Sequence, residues 1–423
     1  MFVKVRHQVL GMLFLVSIIT YLDRIAISAA APRISTDLGL SPSQMGLVFS
    51  AFVFAYGIFE IPGGWMGDHF GPRLTLTRIV VWWSIFTAAT GTVKRYWTLL
   101  ACRFLFGAGE AGAYPNCSCT ISRWFPFAER ARAQGIVWTA SRLGAAIAPL
   151  TVLPLQDALG WRTVFYLFGA IGVVWAAAWY AWARDYPREM PKVSPAELAE
   201  IGESAPPGQG GLSWRRALAS GNLWAVMLMY HTYCYAAYWF FSWMPTYLVK
   251  AKGIEAFATY VAVPYLLGAA ANLAGGITSD LLVRKIGLKW GRRAIGMASM
   301  GSAGLLMLAS MVIQNRFLAI ATLGLSFAVS DFMLPNCWAV CLDIGRRYAG
   351  TVTGAMNMAG QMGATIASAA YGKMVERWGW NPPLAGLAGL SLLSALIWLR
   401  IDATRLLIPE PAPEEAGPAL RSR

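Results

Sequence analysis

Charge is scarce in this chain of 423 residues: Asp, Glu, Lys and Arg make up 13% of it, while 57% is hydrophobic. Soluble globular domains carry about 25% charged residues. A water-soluble fold of this length has too little interior to hide so much apolar side chain, so soluble enzymes and soluble binding modules are excluded. Sulfur and imidazole are also sparse, with six cysteines, no C-x-x-C pair, and three scattered histidines, His7, His69 and His231. That leaves neither a metal cluster nor a disulfide framework to build, and no cofactor is expected. It also removes the His, Asp and Cys clusters that a membrane enzyme carries on its surface loops. Segments of about ten residues with alternating polarity, the mark of a transmembrane barrel, are missing. The first apolar run lacks a small-residue cleavage site and carries Asp23 and Arg24, so it does not read as a cleaved signal peptide.

What is present is a succession of apolar stretches, and a helix needs about 20 such residues to cross a bilayer. The stretches predict an all-α membrane protein with twelve transmembrane helices, at residues 9–31, 45–67, 75–93, 98–122, 133–155, 161–183, 222–248, 257–282, 294–313, 317–342, 350–372 and 383–401. An even number of spans puts both termini on one face. The Lys and Arg clusters Arg123/Arg130/Arg132, Arg284/Lys285/Lys289/Arg292/Arg293 and Arg346/Arg347 fall on that face, making it cytoplasmic by the positive-inside rule. The net charge of +14 is thereby explained by anionic lipid headgroups, without nucleic acid. The expected location is the plasma membrane, the inner membrane if the source is bacterial, as a multi-pass monomer.

Residues 184–221 are polar, rich in Pro and Gly, and read as a cytoplasmic linker between an N-terminal half, 1–183, and a C-terminal half, 222–402, with 403–423 as a cytoplasmic tail. A repeat supports the division. Gly64, Gly67, Asp68, Gly71 and Arg73 lie between helices 2 and 3, and Gly276, Asp280, Arg284 and Lys285 lie between helices 8 and 9. Each copy reads G-x-x-x-D followed by a cation. Glycine lets two helices approach, and the aspartate can accept backbone N–H groups at a neighbouring helix N-terminus or pair with the loop cations. Asp68, Arg73, Asp280 and Arg284 are the candidate gating residues.

These loops resemble the signature of the major facilitator superfamily, with His69 and Pro72 replacing two of its usual cations. Residues 103–111, R-F-L-F-G-A-G-E-A, are similar to another element of that superfamily, and YLDR, GEAGAYPN and GTVTGAMNMAG resemble its anion:cation symporter family. The resemblance implies the major facilitator fold of two six-helix pseudo-repeats, a carrier of organic anions such as sugar acids, and coupling to protons.

An ionisable side chain near a helix centre costs at least about 2.5–3.5 kcal/mol and needs a partner, a wet cavity or a function. Seven qualify: Asp23, Arg24, Glu60, Arg103, Glu110, Arg142 and Asp331. Asp23 and Arg24 are adjacent, about 100° apart around helix 1, and cannot share a direction. A guanidinium binds a carboxylate bidentately, and Arg24 is the expected anion anchor. Arg103 and Glu110 share one face about 10.5 Å apart, too far for a simple bridge. The resemblance implies that Asp23 and Glu110 carry protons and that Arg103 responds to Glu110. Arg142 suits a dianion or a polyhydroxy acid, or equally neutralises Glu60 or Glu110; its neighbour Ser141 is a candidate hydroxyl donor. Glu60, two turns from the loop, reads as gating or structural, and Asp331, before Pro335, as a possible third titrating site. The resemblance adds Tyr21, Tyr56, Trp338 and Asn357 as substrate contacts, joined by Gln361 on the same helix face as Asn357. The expected function is import of a small organic anion, a sugar acid, by proton symport through alternating access.

Overall fold

A computed structural model describes residues 4–202, 212–254 and 258–408; these form helices and no strand. The first half contains Val5–Leu38, Pro42–Phe70 and Pro72–Thr90 as spans 1 to 3. Span 4 is split into Tyr96–Glu110 and Ala113–Trp124, and Arg130–Leu159 and Trp161–Trp182 are spans 5 and 6. In the second half span 7 is Gly221–Ser242 with Met244–Lys250. Spans 8 and 9 are 258–286 and 288–312. Span 10 is split into Arg316–Phe332 and Leu334–Gly345, and Ala349–Trp378 and Asn381–Ile397 are spans 11 and 12. Five stretches are long and apolar enough to cross a membrane, and two of them, Val263–Val312 and Arg316–Ala367, run across a break and have the length of two crossings each.

Three expected spans prove discontinuous. Span 4 breaks where Gly112 takes φ +84°, a conformation that costs other residues strain. Span 10 breaks at Met333, two residues before Pro335, whose missing N–H leaves a helical carbonyl unbonded. Span 7 breaks at Trp243. Conversely, spans 8 and 9, expected to be separated by an open loop, are joined by a turn at one residue, Gly287 at φ +83°.

The linker is partly a docked element. Ser194 caps a short helix, Pro195–Ile201, and Glu197 in it accepts the backbone N–H groups of Val5 (3.2 Å) and Arg6 (2.9 Å) at the start of span 1. The described end of the chain returns to the same face: Leu407 N–H donates to the Ile344 carbonyl, and Asp402 pairs with Lys289 at 2.9 Å. Asp402 is partly desolvated, yet hydrogen bonds from Thr404 and Lys289 hold its carboxyl down at about 2.

The halves meet along two seams, span 2 against span 11 and span 5 against span 8. Both need glycine. A Cβ on Gly64 would stand 2.1 Å from the Gly350 carbonyl, and one on Gly276 would stand 2.4 Å from the Ala131 carbonyl. The repeated loop glycines thus let helix backbones from opposite halves touch.

Candidate functional site

The two signature aspartates do the same job in mirrored places. Asp68 reaches across to span 11 and accepts from Gly350 N (2.8 Å), Thr351 N (2.6 Å) and the Thr351 hydroxyl (2.6 Å). Asp280 reaches the other way and accepts from Ala131 N (3.2 Å) and Arg132 N (2.7 Å) of span 5. Each carboxylate sits on the positive end of a helix belonging to the opposite half. Of the two options open in the sequence, the backbone N–H groups win, and the expected loop cations lie elsewhere. Arg73 donates to the Tyr180 carbonyl, and Arg284 faces Glu129 at 3.9 Å. Arg292 takes the place of Arg284, reaching Asp280 at 3.3 Å and Asp343 at 3.1 Å, and Arg130 bonds Asp343 across the halves at 3.3 Å.

From this sealed end the polar contacts climb both seams to mid-membrane and stop. On one seam they run from Asp68 through Glu60, which accepts from Asn357 Nδ2 at 2.7 Å, to Tyr56, whose hydroxyl lies 3.4 Å from the same nitrogen. On the other they run from Asp280 through Thr139, bonded to the Ala269 carbonyl, to Arg142. Among the described residues no hydrogen bond joins the halves beyond these levels. An apolar cleft of about 1250 Å³ lies there, with Leu47, Phe49, Phe54 and Trp97 on one side and Tyr238 and Thr365 on the other. It holds no charge. The chemistry is in a smaller cavity of about 50 Å³ at the level where the contacts end.

Two guanidiniums line that cavity. Arg24 Nε donates to Glu110 Oε1 at 2.5 Å, its guanidinium lies 4.4 Å from the Tyr56 ring centre and 5.3 Å from that of Tyr21, and its Nη2 is buried without a partner. Glu110 ends the first helix of span 4, so the break at Gly112 fixes its position. Its Oε2 is buried and unbonded. Arg142 on span 5 donates Nε to Asp331 Oδ2 (2.7 Å) and Nη2 to Oδ1 (3.0 Å). Asp331, on span 10, accepts also from the Tyr233 hydroxyl (2.5 Å) and Asn272 Nδ2 (3.2 Å). Neither Glu60 nor Glu110 is the partner of Arg142; Asp331, 189 residues away in the other half, is.

The other expected residues are dispersed. Asp23 points away from the cavity, buried, with both oxygens unbonded and the charges of Glu110 and Arg103 acting on it. Arg103 makes no bridge to Glu110; its guanidinium lies 4.8 Å from the Phe52 ring centre and 4.6 Å from that of Phe106. Ser141 is fully buried with its hydroxyl donated to the Trp138 carbonyl, outside the cavity lining. Trp338 lies behind the wall, its indole N–H donating to the Tyr230 hydroxyl. Tyr21, Tyr56, Asn357 and Gln361 do line the cavity, Gln361 accepting from the Tyr238 hydroxyl at 3.1 Å. Several wall residues had no place among the expected site residues, among them Phe241 and the stacked pair Tyr114 and Trp138, at 4.5 Å. A signal existed for Tyr114. Pro115-Asn116-Cys117 in span 4 and Pro335-Asn336-Cys337 in span 10 are a second repeat between the halves, each just after a break and each preceded by an acid, Glu110 or Asp331. Both asparagines lock their segments to a neighbouring backbone: Asn116 Nδ2 donates to the Gly63 carbonyl and Asn336 Nδ2 to the Arg292 carbonyl.

A family model described as Major Facilitator Superfamily matches residues 13–368. The chain is 35% identical to the "Probable sulfoacetate transporter SauU" of Cupriavidus necator, over 98% of this chain and 97% of that protein. It is 32% identical to the hexuronate transporter of Bacillus subtilis, over 98% of this chain and 99% of that one. Its fold matches the crystal structure of the human organic anion transporter MFSD10, with a TM-score of 0.71 at 16% identity, over 93% of this chain and 99% of that one. With two six-helix repeats, mirrored signature aspartates and a charged cavity between the halves, the chain belongs to the Major Facilitator Superfamily and is a membrane transporter, not an enzyme.

Proposed function

We propose that this transporter imports a small organic anion, a sugar acid such as an aldonate, hexuronate or aldarate, together with protons. The observation that carries the reading is the Arg24–Glu110 pair at a cavity between the halves, beyond the end that Asp68 and Asp280 seal. A guanidinium with an unpartnered Nη2 in a low-dielectric site is an anchor for a carboxylate. While Glu110 is ionised it competes for that anchor. A proton on Glu110 removes the competition, so anion and proton enter the same state of the carrier. Asp23 gives the second proton a home: a buried carboxylate with no cation bound to it, beside only the neutral Trp83 and Thr87 donors, is costly, and binding a proton removes the cost. Relatives named for sulfoacetate and hexuronate carry acids, in agreement with a cationic anchor.

The sealed face, which holds both described ends of the chain and the cationic loops, is the cytoplasmic one on the positive-inside rule. The present arrangement is then closed to the cytoplasm. Turning inward requires Asp68 and Asp280 to release the starts of spans 11 and 5 and the halves to rock about the cavity. The carrier works as a monomer in the plasma membrane. Uptake into proteoliposomes tests the reading. An inward proton gradient is expected to drive accumulation of galacturonate or galactarate, and uptake indifferent to the gradient removes proton coupling.

A further inference from the structure

We infer that the transported anion is a dianion, with one acidic group held by Arg24 and the other by Arg142. The inference rests on the organic-anion reading above and narrows it. Both guanidiniums line the same cavity, and both are held by a carboxylate that precedes a Pro-Asn-Cys break, Glu110 in one half and Asp331 in the other. Arg142 spends Nε and Nη2 on Asp331 and leaves Nη1 unengaged in a residue that is 3% exposed. The Tyr21 side chain borders the same cavity, its ring centre 5.3 Å from the Arg24 guanidinium.

A charge count agrees independently. The intramembrane cations are Arg24, Arg103 and Arg142, and the acids are Asp23, Glu60, Glu110 and Asp331. Three of those acids have a buried oxygen with no hydrogen-bond partner: both oxygens of Asp23, Oε2 of Glu60 and Oε2 of Glu110. Asp331 has none, because Arg142, Tyr233 and Asn272 saturate it. When the three under-bonded acids carry protons, three guanidiniums face one carboxylate; Asp331 balances Arg142, and the surplus stands on Arg24, in the cavity wall, and on Arg103, which packs against Phe52 and Phe106 outside it. Uncompensated charge in a buried site is costly, and an anion with a second acidic group offsets more of it than a monoanion does. The cavity between the two guanidiniums is small, about 50 Å³, so compact dianions are the first to try.

The full-length protein in detergent would be titrated calorimetrically with matched pairs, malonate against acetate, succinate against butyrate, and sulfoacetate as a mixed dianion, with galacturonate as a larger monoanion. At least one dianion is expected to bind ten-fold or more tighter than its monoanion partner. Arg142→Gln should weaken that dianion at least ten-fold more than it weakens the matched monoanion, so that the preference between the two is lost. Because this variant strands Asp331, Arg142→Gln with Asp331→Asn serves as the neutral replacement should the single change fail to fold, with the same loss expected. Equal affinity for the two classes in the unaltered protein, or equal weakening of both by the Arg142 changes, overturns the dianion while leaving organic-anion transport intact. Absence of binding or uptake for every organic anion overturns both readings.

Discussion

The two arginine–carboxylate pairs of the cavity are alike in composition and opposite in design. Glu110 offers Arg24 one oxygen and keeps the other bare, within a single half of the protein. Asp331 offers both oxygens to Arg142, takes two further hydrogen bonds, and joins the halves. A carboxylate with a bare oxygen can accept a proton and release its partner. One saturated by four donors has no free oxygen and fixes its partner in place. The contrast separates an exchangeable anchor from a permanent one on the same cavity wall.

Substitutions can break that contrast at either end. Arg24→Ala is expected to have the largest effect, weakening organic-anion binding by about 100-fold or more, since truncating one side of a desolvated charge pair costs about 2–5 kcal/mol; near-normal affinity by calorimetry would remove it as the anchor. Asp331→Asn comes next, and acts on stability. It leaves Arg142 buried without a counter-charge, at a cost of about 3–5 kcal/mol, read as a large fall in melting temperature in detergent. Tyr233→Phe takes away one hydrogen bond to the Asp331 carboxylate, about 1.5–3 kcal/mol, and a smaller fall is expected in the same assay. Glu110→Gln should change melting least, because its pair lies in one half beside a partly exposed guanidinium. Its signature is kinetic: exchange of labelled anion persists while accumulation driven by a proton gradient is lost. A melting loss as large as that of Asp331→Asn would erase the proposed difference between the pairs.

How much of this was written in the chain varies by residue. The spans, the halves and the signature loops follow from hydropathy and a local repeat, which need no knowledge of what touches what. Arg24 and Glu110 were singled out because charge inside a membrane span always demands an account. Their pairing was not legible; the spacing ruled out only a simple bridge from Glu110 to Arg103, and named no partner on another span. Ser141 was put forward for its hydroxyl, but the first acceptor within reach in a helix is its own backbone, and Trp138 took it. The gating cations Arg73 and Arg284 were chosen by proximity in sequence, whereas helix N-termini from the other half are the stronger partners for an aspartate at a helix end.

By itself, then, the sequence determined that the chain crosses a membrane many times, that it is doubled, and which charges are too costly to be incidental. Those properties depend on composition and short-range spacing. Only the tertiary structure decided that Asp68 and Asp280 seal one face by capping spans 11 and 5, and that Arg142 belongs to Asp331. These partners sit in different halves, 189 residues apart for the arginine pair. A buried charge takes whichever opposite group the packing of the halves brings within about 3 Å, and sequence spacing carries no record of that choice.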